Sequence, residues 1–177
     1  MLLHILNPEA DALRFPLSCY RYTVQGYLLV TALIMISMAE WILGVLFISS
    51  ANVPDKWLAG CLGIMGLSAL LTGIFPMDIP PEHSVPGVIH IYAAIIQFVL
   101  FPVLILLYGI GSSRPAIRKF SIGSGIFIIV FLLFMAYIIF TENQAMLSYY
   151  GIIQKIYVFL ITAWLMILAL QFLITGR

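Results

Sequence analysis

Charge is what this chain has least of. Its 177 residues hold 8 Lys and Arg and 7 Asp and Glu, so 8% are charged while 63% are hydrophobic. A soluble domain carries about 25% charged residues, and that class is excluded. The net charge is +1 and the longest basic run is Arg118-Lys119, which gives no electrostatic footprint for nucleic acid. The two cysteines, Cys19 and Cys61, fall on opposite sides of the membrane in the reading below. They form neither a disulfide nor a thiolate metal motif. Histidine, with three residues, is nearly as scarce, and no two lie deep in a span as axial ligands for haem, so no cofactor is expected. Residues 1–22 contain Glu9, Asp11, Arg14 and Arg21 and lack a basic start followed by an apolar core, so they do not read as a cleavable signal peptide. No internal repeat marks an inverted-repeat transporter.

What the chain does have is long apolar runs. They extend from about Val24 to Ser50, interrupted only by Glu40, then Trp57 to Phe75, Pro86 to Tyr108, Phe120 to Phe140 and Tyr150 to Ile174. Each is close to the roughly 20 residues a helix needs to cross the hydrocarbon. The runs are continuously apolar, whereas barrel strands would alternate. The expected fold is therefore an all-α membrane protein: an extracytoplasmic interfacial segment, residues 1–22, followed by a bundle of five transmembrane helices, residues 23–177. Asn7 before Pro8 and Glu9 reads as the start of a short interfacial helix. Tyr20, Tyr22 and Tyr27 form an aromatic belt at headgroup level. Lys56, Arg114, Arg118, Lys119 and Arg177 gather on one side, against Arg14, Arg21 and Lys155 on the other. By the positive-inside rule the N-terminus is outside and the C-terminus inside. Gly60, Gly63 and Gly66, and Ser121 with Gly125, are small-residue faces suited to helix contact and oligomerisation.

The polar residues that remain are few enough to take singly. Gly73 to His90 carries four of the nine prolines, two of the three histidines and the acids Asp78 and Glu82 between two apolar runs. In the expected topology this stretch faces outward. His90 lies about one turn below that surface and Gln97 seven residues further on the same helical face. Asp78 and Lys155 are placed at a similar depth. Asp78, His90 and Lys155 then form one candidate cluster in which Asp78 fixes the imidazole tautomer and Lys155 holds an anionic headgroup. Ser18, Arg21 and Gln25 precede the first span on that side and cover the cluster. Asp78, Glu82, His83 and His90 carry atoms that zinc accepts, yet their spacing matches no compact motif, and no metal is expected. Glu40 is the one acid well inside a span, about 24 Å along the helix from Val24. Ser37 and Gly44 share its face, and a buried acid there must be protonated or paired.

Three segments, NPEADALRFPLSCYRYTVQGYLL, GIFPMDIPPEHSVPGVIH and GIIQKIYVFLITAW, resemble in order and spacing the signature segments of the domain of unknown function 998 family of bacterial and archaeal membrane proteins. The matching positions are Pro8, Ser18 and Gly26, then Gly73, Phe75, Pro76, Asp78 and His90, then Gly151, Lys155 and Trp164. The resemblance implies a cytoplasmic membrane location and a six-span pattern with an additional helix before the first segment, where this chain begins almost at the segment itself. It also implies Arg more often than Lys at position 155. It implies no established reaction.

These readings lead to one expectation about function and three alternatives. The first is a bundle that binds a membrane lipid or another amphiphile at the outer leaflet, with Asp78, His90 and Lys155 as the polar end and Gln97, Ser18 and Arg21 around it. The others are a membrane-embedded hydrolase or transferase, metal-dependent or not, using His90; a proton-coupled small transporter using Glu40; and a structural subunit.

Overall fold

In hydrocarbon a backbone N–H or C=O has no water to bond, so an apolar run must satisfy its own polar groups as a helix. The computed structural model describes residues 5–7, 11, 13–49, 53–79, 83–142 and 144–175. The expected runs appear in it as five long helices, α1 (Tyr27–Ile48), α2 (Val53–Ile74), α3 (Val85–Gly111), α4 (Pro115–Thr141) and α5 (Tyr150–Thr175). All five are long and apolar enough to span a membrane, and the chain is a multi-pass membrane protein.

Each helix packs on the next, α1 on α2, α2 on α3, α3 on α4 and α4 on α5. The last helix also returns to the third through edge-on aromatic pairs: Phe98 with Tyr157 at 5.2 Å, Phe101 with Trp164 at 6.1 Å and Tyr108 with Trp164 at 5.6 Å. The buried core includes Leu62, Met65, Phe101, Leu104, Tyr157 and Leu168. Many large apolar residues, such as Val85, Phe140 and Phe159, stay exposed, as they must where the surroundings are lipid tails.

Pro102 lies inside α3. Proline has no N–H, so it cannot bond the carbonyl of Phe98 four residues earlier. The Tyr157 hydroxyl donates to that carbonyl instead, at 2.7 Å. A side chain from α5 thereby replaces the missing backbone donor, the kind of repair that lets proline stand in a membrane helix.

The small residues divide by role. Ser37 donates to the Gly66 carbonyl at 2.7 Å and the Trp41 indole to the Gly63 carbonyl at 3.1 Å, which ties α1 to α2. A methyl group on Gly66 would run into the Trp41 ring, whereas a methyl group on Gly60 or Gly63 would have nothing within 4 Å. Only Gly66 of that stripe is a close approach. Ser121 and Gly125 are buried on α4 and face Gly109 and Leu106 of α3.

The N-terminal segment departs most from expectation. The helix read from Asn7 and Pro8 falls partly outside the described residues. Asn7 is buried, and its side-chain oxygen accepts the Gln25 N–H at 3.2 Å. The regular element here is a short 3-10 helix, Leu17–Tyr22. It lies at the end of the bundle shared by the α2–α3 connection and the start of α5, reached through bonds from Arg21 to Gly73 and from Leu17 to Gln154. A further helical turn, Gln144–Leu147, sits in the α4–α5 connection at that end.

Candidate functional site

The last carbonyls of a helix lack partners within it, and at the end of α2 the N-terminal segment supplies them. Arg21 donates to the Gly73 carbonyl and the Tyr22 hydroxyl to the Met77 carbonyl. A cation at the C-terminal end of a helix also meets a favourable dipole. His90 Nδ1 bonds the Phe75 carbonyl at 2.8 Å, and Nε2 bonds the Ser18 hydroxyl at 2.9 Å. A carbonyl can only accept, so Nδ1 carries the hydrogen and Nε2 accepts from Ser18. The ring is 4% exposed, and both of its nitrogens are engaged.

Asp78 does not turn toward this imidazole. Its two carboxylate oxygens accept from the Ser84 N–H at 2.7 Å and the Ser84 hydroxyl at 2.6 Å. The Ser84 oxygen in turn accepts the Gly87 N–H at 3.1 Å as the N-cap of α3. The Ser84 hydroxyl bond, then the Ser84 N–H bond, hold the Asp78 carboxyl below the usual aspartate range, because both favour the charged form. The fit requires glycine at position 87, where a methyl group would collide with the Asp78 carboxyl.

Lys155 is taken up by the N-terminal segment. Its Nζ donates to the Phe15 carbonyl at 2.9 Å and lies 5.0 Å from the centroid of the Tyr20 ring, a cation–π distance. The neighbouring Gln154 accepts the Leu17 N–H at 2.7 Å, and the Ile152 N–H, in the first turn of α5, donates to Leu13 at 3.0 Å. A side chain on Gly151 would strike the backbone of residues 13–15. The structure therefore joins Ser18 to His90 and places Arg21 beside them, but it gives Asp78, His90 and Lys155 separate partners. Cys19, in the same 3-10 helix, has its thiol pushed up by burial, with Lys155 acting in the opposite direction.

The second polar layer lies about midway along the helices. Glu40 stands on α1 and is 0% exposed, with Ser37 and Gly44 buried on the same face. It is about 20 Å from the start of α1 at Tyr27, counting roughly 1.5 Å per residue. Gln97 of α3, expected among the outer ligands, donates through Nε2 to Glu40 Oε1 at 2.6 Å. Glu40 Oε2 and Gln97 Oε1 are buried and have no hydrogen-bond partner among the described residues. Sequence periodicity places Gln97 on the His90 face, but its partner on α1 is set by the packing of two helices.

Among the described residues, no three His, Cys, Asp or Glu side chains gather as a metal site. Glu82 of the four-ligand reading lies outside them. The groups that bond His90 are the Phe75 carbonyl, which accepts, and the Ser18 hydroxyl, which donates.

No curated protein and no solved structure matches the chain. The segments that carry the N-terminal bonds, the Asp78–Ser84 cap, the Glu40–Gln97 pair and the Lys155 region all lie within residues 1–171, which match one family over nearly the whole length. The chain belongs to the membrane-protein family described as protein of unknown function (DUF998).

Proposed function

We propose that this protein is a small proton-coupled transporter of the cytoplasmic membrane, with Glu40 as its proton-binding group and Gln97 as the side chain that positions it. The observation that carries the reading is the fully buried Glu40, whose Oε2, like the Oε1 of its partner Gln97, has no hydrogen-bond partner among the described residues. A carboxylate without a cation is costly at this depth, and ionisable groups inside spans mark ion and proton pathways. A proton on Oε2 turns that atom from acceptor to donor. Loss of the proton leaves a charge and two acceptors in hydrocarbon, so the protonation state changes what the site can hold.

An amphiphile site at the outer end has less to support it. Its proposed polar groups, Asp78, His90 and Lys155, are bonded to Ser84, to Phe75 with Ser18, and to Phe15. The same engagement of both ring nitrogens leaves His90 without a free atom for hydrolase chemistry. The reading includes an N-terminus outside, supported by the positive-inside rule: Lys56, Arg114, Arg118 and Lys119 lie at the starts of α2 and α4, opposite Arg14, Arg21 and Lys155. Single cysteines introduced as Ser113→Cys and Ala145→Cys test this in intact cells with an impermeant maleimide. Labelling at position 145 alone is expected, and labelling at 113 alone reverses the orientation.

The proton reading is tested by infrared difference spectroscopy on protein in lipid. A protonated-carboxyl band that disappears in Glu40→Gln and loses intensity as pH rises is expected. A Glu40 band that stays constant over the whole pH range in which the protein is folded removes proton exchange, and with it the transporter.

A further inference from the structure

We infer that the other occupant of the Glu40 site is a small N–H-bearing organic cation, a protonated amine, which displaces the proton from Glu40. This inference rests on the proton-binding reading above and names the substrate class of the same site. Three features of the site limit what can bind there.

The first is charge. Once Glu40 is deprotonated, the occupant must bring a positive charge, because the carboxylate has no cationic partner among the described residues. Asp55 and Lys56 sit at the beginning of α2 and Cys61 follows in its third turn. His90 and Tyr92 lie near the start of α3, and Tyr108 lies near its end. Among these, His90 is held by Phe75 and Ser18, and Tyr108 donates to Gln171 at 2.7 Å. None bonds Glu40, whose partner is Gln97.

The second is hydrogen-bond sense. Both unpartnered atoms, Glu40 Oε2 and Gln97 Oε1, are acceptors, so the occupant must be a donor at more than one point. An ammonium group supplies three N–H donors and a charge in one compact unit. Calcium or magnesium would need about six or more oxygen ligands, and the pair offers only its own oxygens. The third feature is surface. Leu43 is one turn from Glu40, and Ala93 and Phe101 are each four residues from Gln97; all three are buried. Apolar neighbours at helical spacing from both residues suit an alkyl substituent rather than a hydrated inorganic ion.

The exchange balances without a further reactant: the carboxyl proton leaves to solvent as the alkylammonium forms its ion pair with Glu40. One positive charge replaces another.

Methylammonium is the probe, with tetramethylammonium, which has the charge but no N–H donor, as the control. Binding to protein in lipid nanodiscs is followed by calorimetry in two buffers of different ionisation enthalpy, together with the Glu40 infrared band. At a pH where that band is present, methylammonium is expected to abolish it and release a proton for each cation bound. Tetramethylammonium leaves it in place. Gln97→Leu keeps the carboxyl but removes both the Oε1 acceptor offered to the ammonium and the Nε2 donor that favours the ionised carboxylate; both losses act against the cation, and methylammonium binding should weaken at least roughly tenfold, the scale of a lost hydrogen bond to a charged group. A band that titrates with pH but ignores methylammonium overturns this inference and leaves the proton site standing. A band that never titrates overturns the transporter and the exchange together. Equal responses to methylammonium and tetramethylammonium, or unchanged methylammonium binding in Gln97→Leu, reject recognition through N–H donors.

Discussion

Replacing Glu40 and Gln97 together by leucine should cost the fold little while abolishing proton binding. The magnitude follows from what each substitution leaves behind. Gln97→Leu removes the donor 2.6 Å from Glu40 Oε1, so a buried carboxyl loses its partner. Glu40→Leu leaves the Gln97 amide with unpaired groups inside the bundle. An orphaned buried polar group costs about 1–3 kcal/mol, and each single variant should fall in that range. The double variant loses one intramembrane hydrogen bond, about 0.6 kcal/mol on average. It also removes the two acceptors that have no partner among the described residues, and exchanging buried polar partners for packed apolar groups is often neutral or stabilising. It should therefore lie within about 1 kcal/mol of the unsubstituted protein or above it, with a coupling energy as large as either single effect. Unfolding free energies of all four proteins in lipid bicelles measure this, alongside the infrared titration. Simple addition of the two single costs in the double variant would refute the pairing as the source of both. A double variant that retained proton exchange would refute the role given to Glu40.

The repaired proline gives a second cycle. Tyr157→Phe strands the Phe98 carbonyl and should cost about 1–2 kcal/mol, most of it recovered in Tyr157→Phe/Pro102→Ala because residue 102 then has its own N–H; equal losses in single and double variants would contradict this. At the cap of α3, the lowered Asp78 value means that its stabilisation is present above the ordinary aspartate pKa of 3.8 and is lost as pH falls through the lower folded value. Hydrogen exchange in residues 75–84 should accelerate there, and Asp78→Asn should flatten that acid dependence. For His90, the asparagine variant keeps a donor near the Nδ1 position and the glutamine variant an acceptor near Nε2. His90→Asn should therefore loosen residues 15–23, and His90→Gln residues 73–79, each by about fivefold in exchange for a bond worth ~1 kcal/mol; identical profiles would reject the assigned tautomer.

The spans are legible because burial in lipid leaves the backbone no alternative to helix, and the interior face of α1 is legible because Ser37, Glu40 and Gly44 recur at spacings of three and four. The outer cluster differs from its sequence expectation for a local reason. Depth alone brings Asp78, His90 and Lys155 to one level, but Asp78 has a serine six residues away at a helix start, and a nearby cap is reached with less ordering of the chain than a distant imidazole. Lys155 and His90 have partners in residues 15 and 18, and where those residues lie depends on how the N-terminal segment folds back over the bundle. Gly151 and Gly26, where side chains would strike neighbouring backbone, are the sequence signals of this close approach. Pro102 is equally readable: a proline within an apolar run demands a donor from elsewhere, although nothing in the local sequence selects Tyr157.

The two polar layers differ in what their bonding can reveal. His90 and Gln97 stand on one face of α3, seven residues or about 10 Å apart, yet only the outer residue has its polar atoms fully engaged. Near the membrane surface, loop carbonyls and hydroxyls are within reach, so almost any polar side chain there can be absorbed into a cap, and its satisfaction says little about function. At the depth of Glu40 the surrounding backbone N–H groups are committed to their own helices, and the donor that reaches the carboxyl is a side chain of another helix, Gln97. Gln97 provides one donor and adds an acceptor of its own, so among the described residues the ionised pair has one oxygen on each side unmatched. A stabilising role alone would be met as well by two packed leucines. The mismatch belongs to the ionised carboxyl, whose Oε2 can only accept; a proton there turns it into a donor, and this dependence on a single proton is the ground for the exchange role proposed for Glu40.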